Sequence, residues 1–145
     1  MFTVMTVNMR CPFEKTILSA QCACAMATRF SVAEQMGVDC RGDIARNNCI
    51  TLLGLMRERA RFVLKLTETA GHLPFGKEMK VMLGGLLGLQ RQITPGENVD
   101  HVADIHALVQ QAQAAYGSLQ NLPYQEIVKS IAAFHGKRRG TMVPG

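Results

Sequence analysis

The chain has 145 residues, 48% hydrophobic and 19% charged, the balance of a single globular domain large enough to bury a core without disulfides. Its net charge of +5 comes from mixed signs, with 6% aromatic residues and no nucleic-acid reading motif, so an acidic partner is admitted and nucleic-acid binding is not expected. The longest apolar run, Val81 to Leu89, falls far short of the roughly 20 residues that span a bilayer, which excludes a membrane-spanning helix there.

Residues 1 to 10 alternate apolar and polar side chains and lack the basic region and apolar block of a secretion signal, so a cytoplasmic location is expected. After this extended lead-in, Cys11-Pro12-Phe13-Glu14 reads as a helix start, with proline at the first helical position and Glu14 near the positive end of the dipole. The pattern Ile17, Leu18, Ala20, Ala23 carries this helix toward about Thr28. A second start has capping-box spacing at Ser31-Val-Ala-Glu34, and Gly37 is its stop.

From Asp43 to Thr69, Ile44, Ile50 with Leu52 and Leu53, Met56, Ala60, Phe62 with Val63 and Leu64, and Leu66 recur at near-helical spacing, with Asp43 as cap and Gly71 and Pro74 as terminators. A further helix over Gly76 to Ile93 carries Gly84, Gly85 and Gly88. Three glycines cost about 1 kcal/mol each relative to alanine, which points to close approach by another helix. Helices over Asn98 to Leu119 and Tyr124 to Phe134 complete the reading, separated by Asn121-Leu-Pro123. The expected fold is all-α: one compact bundle of about five helices over residues 1–136, with a flexible basic tail, Lys137-Arg138-Arg139 and onward, over 137–145.

All five cysteines, Cys11, Cys22, Cys24, Cys40 and Cys49, lie in the first third, and 96 residues follow without another. Clustering of this kind favours a shared site. In a reducing cytoplasm an odd set of thiols is not a disulfide framework, which leaves metal binding, thiol redox chemistry and plain core packing. Zinc sites present Cys-x2–4-Cys knuckles, and this chain has none; iron–sulfur clusters take thiolates from separate elements. Cys11 at a helix start would be activated by the dipole, the one physical support for thiol chemistry. On a regular helix Cys22 and Cys24 point about 200° apart, so one of them should face the core while Cys11, Cys40 and Cys49 complete a set of four.

The leading expectation is therefore a [4Fe-4S] protein of electron transfer, cluster delivery or redox sensing, its cluster held by four of the five cysteines. The partner would be a redox or acidic protein, and the oligomeric state is left open. The rival is a helical interaction module, cofactor-free or stabilised by zinc. No phosphate loop, nucleotide fingerprint or nucleophile elbow is present, so an autonomous enzyme is not indicated. The pairs His101 with Asp104 and Glu68 with His72 loosely resemble carboxylate–histidine metal sites but read first as solvated helix faces, and the nine methionines read as core fillers.

Overall fold

The computed structural model describes residues 9–64, 75–96 and 99–134. In chain order these form α1 (Glu14–Leu18), β1 (Ala27–Val32), β2 (Gln35–Cys40), α2 (Asp43–Leu64), α3 (Phe75–Met79), a π-helical stretch (Lys80–Gly84), α4 (Gly85–Ile93), α5 (Ile105–Tyr116), a 3-10 turn (Leu119–Asn121) and α6 (Tyr124–Ala133). The expectation of an all-α bundle is corrected: the molecule is mostly helical, but β1 and β2 pair into an antiparallel hairpin, so the fold is mixed. The lead-in over residues 2 to 8, the terminators Gly71 and Pro74, the Glu68–His72 pair and the tail over 137–145 lie outside the described residues.

Two tight reversals explain the difference, and neither uses glycine. The first helix, expected to reach Thr28, stops at Leu18 because Ala20 adopts φ +68°. The Ala20 N–H donates to Ile17 O at 3.0 Å and the Gln21 N–H to Thr16 O at 3.1 Å. That pair of bonds is a Schellman closure, usually built on glycine. The second reversal joins the strands at Ala33 and Glu34, with φ of 52° and 72°. Successive left-handed residues make the two-residue turn whose twist matches a hairpin, at a cost of roughly 1–2 kcal/mol per residue for a side chain other than glycine. Ser31-Val-Ala-Glu34, expected to start a helix, is thus the end of β1 and its turn. Gly37, expected to stop that helix, pairs with Phe30 across the hairpin. A Cβ on Gly37 would lie 2.3 Å from Phe30 Cζ, so glycine makes room there for the ring that covers it.

The helical part follows its periodicity. α2 buries Cys49, Leu52, Leu53, Met56, Ala60 and Leu64 along one stripe, whereas Ile44, Ile50, Phe62 and Val63 of the expected apolar series are exposed and Leu66 lies outside the described residues. α3, the π-helical stretch and α4 run on as one rod, and α6 crosses it over glycine. A Cβ on Gly84 would come within 3.1 Å of Ile131 Cα, and one on Gly88 within 2.6 Å of Ser130 Cβ. α5 begins later than expected, at Ile105, because Asp104 is its N-cap and accepts from the His106 N–H at 3.1 Å. Phe13, Leu52, Met56, Leu83, Leu86, Leu89, Ile105, Ile127 and Ile131 lie fully buried in one continuous core. Among the described residues no helix is long and apolar enough to cross a membrane.

Candidate metal centre

Four segments carry the cysteines, and backbone hydrogen bonds stitch them together. The Cys11 N–H donates to Val38 O at 2.8 Å and the Cys40 N–H to Met9 O at 2.7 Å, so residues 9 to 11 run beside β2 as an added rung. Arg41 N–H donates to Met26 O at 2.9 Å, and the Arg41 guanidinium reaches Ala25 O, which binds the Cys24 loop to the end of β2. The same loop is fixed to α5 by Ala23 N–H to Val102 O at 3.0 Å and Ile105 N–H to Ala23 O at 2.9 Å. Arg46, in the first turns of α2, donates through Nε to Arg10 O at 2.7 Å and so ties α2 to the segment of Cys11.

These connections place Cys11, Cys24, Cys40 and Cys49 around one cavity of about 610 Å³. Cys11 enters from the turn before α1, Cys24 from the loop before β1, Cys40 from the last residue of β2 and Cys49 from the second turn of α2. The far wall is α5, through Ile105, His106, Val109 and Gln113. Cys22 is not in this set. It is buried in the core beside Val102, with the Thr16 hydroxyl at its sulfur. Of Cys22 and Cys24 it is Cys22 that lies inside: the chain after Ala20 is not helical, Cys22 bridges to Val102 in the core, and Cys24 follows in the loop that opens onto the cavity.

The cavity shapes the thiols. Burial pushes Cys11 up to about 11, opposed by the Phe13 N–H at its sulfur. Burial pushes Cys49 up to about 12, and charge on Cys11, Cys24 and Cys40 adds to it. The Cys24 thiol is likewise raised by burial, while the N–H groups of Met26 and His106 favour its thiolate. Each of these three feels Cys40 electrostatically, whereas no other cysteine acts on Cys22. The activation of Cys11 expected from its helix start is therefore corrected: α1 is one turn long, and desolvation outweighs it.

All five cysteines are free thiols. Among the described residues no three His, Cys, Asp or Glu side chains converge tightly enough to share one metal ion. The thiols ring a space instead of meeting at a point. The first turns of α2 and α5 open onto the same space, through Gly42 to Arg46 and Ile105 with His106, and their partial positive charge favours thiolate there. His101 and Asp104, read together as a loose metal pair, do different work: His101 is exposed beside Asp100 at 3.7 Å, and Asp104 caps α5.

The α5 wall is the part that sequence reasoning missed. Its signal was local: an aspartate immediately before the apolar series Ile105, Leu108, Val109, Ala112 is an N-cap, and a helix starting there aims its first turn at whatever precedes it in space. Comparison with protein-family models, with curated proteins and with solved structures finds no match for this chain.

Proposed function

We propose that the protein binds a [4Fe-4S] cluster through Cys11, Cys24, Cys40 and Cys49 and serves in electron transfer, cluster delivery or redox sensing. One observation carries this reading: four of five cysteines, drawn from four separate segments, line a single cavity while the fifth lies in the core. A lone zinc ion with Zn–S bonds of about 2.3 Å needs its sulfurs within about 4 Å of one another, a convergence absent among the described residues. Thiols spread around about 610 Å³ suit a larger group. When bound, the cluster supplies one-electron redox chemistry.

The chain's own contribution is to hold the thiolates, exclude water and set the charge around them. The N–H groups of Phe13, Met26 and His106 aim at Cys11 and Cys24, the kind of hydrogen bond to sulfur that raises a reduction potential. Because the apo thiols hold their protons, loading must release them, so affinity should climb with pH.

Anaerobic reconstitution with iron and sulfide tests the reading. It should give a brown protein with broad absorption at about 400 nm and near-stoichiometric iron and sulfide. Alanine at Cys11, Cys24, Cys40 or Cys49 should each damage that uptake, and Cys22→Ala should leave it whole. A reconstituted wild-type chain without stoichiometric iron and sulfide rejects the cluster. Should replacement of all five cysteines also leave folding and partner binding intact, the chain is a cofactor-free interaction module.

A further inference from the structure

Beside the cysteine cavity, and sharing Cys11, Pro12 and Arg46 with it, a second cleft of about 400 Å³ opens between the start of α1, the middle of α2 and α3. Arg10, Lys15, Arg46 and Arg57 line it against two carboxylates, Glu14 and Glu78. Both carboxylates are engaged. Glu14 meets Arg10 at 2.7 Å and the Val38 N–H at 3.0 Å, and Glu78 meets Lys15 at 2.6 Å and Arg57 at 3.2 Å. The cleft therefore carries an excess of two positive charges.

Its lining is not wholly polar. Ile50 stands 42% exposed on α2 amid these cations, and one turn further Gly54 leaves open space. A small anion would want convergent free donors, whereas Lys15 and Arg57 both turn to Glu78. An apolar residue within an arginine-rich rim has the anatomy of a protein contact. Positive charge on that rim selects an acidic surface and steers its approach. Cys11, with Pro12 and Arg46, forms the wall common to both spaces, so whatever docks in the cleft comes nearest to the cavity across that wall.

We propose that this cleft docks the acidic face of a partner protein, and that electrons pass between that partner and the cavity on the Cys11 side. The electron route rests on the cluster reading above; the docking does not. Electron passage makes and breaks no bond: with ferricyanide as oxidant, one electron leaves the reduced cluster and ferrocyanide forms.

Gly54 gives a clean test, because a Cβ there meets nothing within 4 Å, so the near-isosteric pair Gly54→Glu and Gly54→Gln starts from open space and differs chiefly in charge. Fluorescein-labelled octaglutamate is titrated into the full chain and read by anisotropy. The dithionite-reduced, reconstituted chain is then oxidised in a stopped-flow by ferricyanide and, separately, by the cationic tris(phenanthroline)cobalt(III). At low salt Gly54→Glu should bind the peptide and react with ferricyanide at least about threefold less well than Gly54→Gln, and react faster with the cobalt complex. The differences should close in high salt. Equal peptide binding by the two variants overturns the docking site. Unequal peptide binding with equal ferricyanide rates overturns the route past Cys11. A wild-type chain that takes up no iron and sulfide fails on the cluster reading, and the peptide arm still decides the docking.

Discussion

Asp104 holds Ala25 from 79 residues away: its Oδ1 accepts the Ala25 N–H at 2.9 Å and, at 3.1 Å, the N–H of His106 in its own helix. One carboxylate oxygen thus caps α5 and pins the loop of Cys24 against it. Loss of an N-cap alone costs about 1 kcal/mol, and the stranded Ala25 N–H adds to that. Asp104→Ala should therefore lower stability by about 1–2 kcal/mol in urea unfolding and weaken iron retention. Asp104→Asn keeps an acceptor oxygen and should recover most of both. Equal losses in the two variants would show that charge, and not the bridge, is what matters.

The glycines divide by what lies above them. A Cβ on Gly88 would press Ser130 Cβ at 2.6 Å and the Ile127 backbone at 3.4 Å, so Gly88→Ala forces α4 and α6 apart and should cost about 1–3 kcal/mol. Gly54 faces open space in mid-helix, and Gly54→Ala should stabilise by about 0.5–1 kcal/mol. Opposite shifts in the urea midpoint check both. Two destabilised variants would mean that α2 is not helical at Gly54.

The same contrast shows what the sequence makes legible. Long amphipathic stretches such as Leu52-Leu53-Met56-Ala60 announce α2, and Gly84 and Gly88 announce close helix packing, because burial with period 3.6 leaves a direct trace in residue type. The hairpin left no such trace. Its turn places Ala33 and Glu34 at positive φ where asparagine and glycine are the usual signal, and the closure after α1 uses Ala20 in the same way. Tertiary pairing with residues 9 to 11 and with α5 offsets those local costs, and tertiary pairing is invisible in a window of neighbours. The placement of the cysteines was half legible: clustering in sequence suggested shared surroundings, and four of them line one cavity, whereas the argument that set Cys22 against Cys24 assumed a helix that in fact ends at Leu18. Only the backbone path after Ala20 shows which one turns inward.

Protons on the cavity thiols make stability pH-dependent in a definite direction. In the unfolded chain Cys11 and Cys49 ionise near 9.0, while burial in the fold holds them up to about 11 and about 12. The folded apoprotein binds these protons more tightly, so their contribution is fully present below pH 9 and is lost as pH rises toward 11 and 12. Tyr124, raised by burial from 10.0 to about 12, acts the same way at higher pH. Urea midpoints of the apoprotein should be level from about pH 7 to pH 8.5 and fall steadily above, and Cys49→Ala should flatten that fall. Iodoacetamide should modify the apo thiols slowly at about pH 8, since thiolate is the reactive form. A midpoint that rises above pH 9 would contradict the burial of Cys49.

Glu78 joins three elements: buried in α3, it takes Lys15 of α1 at 2.6 Å and Arg57 of α2 at 3.2 Å. Both cations reach solvent in part, so they are not stranded as fully buried charges would be when the carboxylate is removed. The Nε of Arg57, however, is buried without a hydrogen-bond partner, and it depends on the carboxylate to offset its desolvation. Glu78→Ala should then cost about 2–3 kcal/mol, below the 3–5 typical of breaking a wholly buried pair. Lys15→Met should cost under about 1 kcal/mol, because Arg57 still neutralises Glu78. Combining Arg57→Leu with Glu78→Leu should restore much of the loss, since an apolar pair of similar volume carries no desolvation penalty. The urea midpoints of these variants form a cycle. If Glu78→Leu and Arg57→Leu, each measured alone, sum to the loss in the double variant, the two side chains do not interact as their 3.2 Å separation indicates.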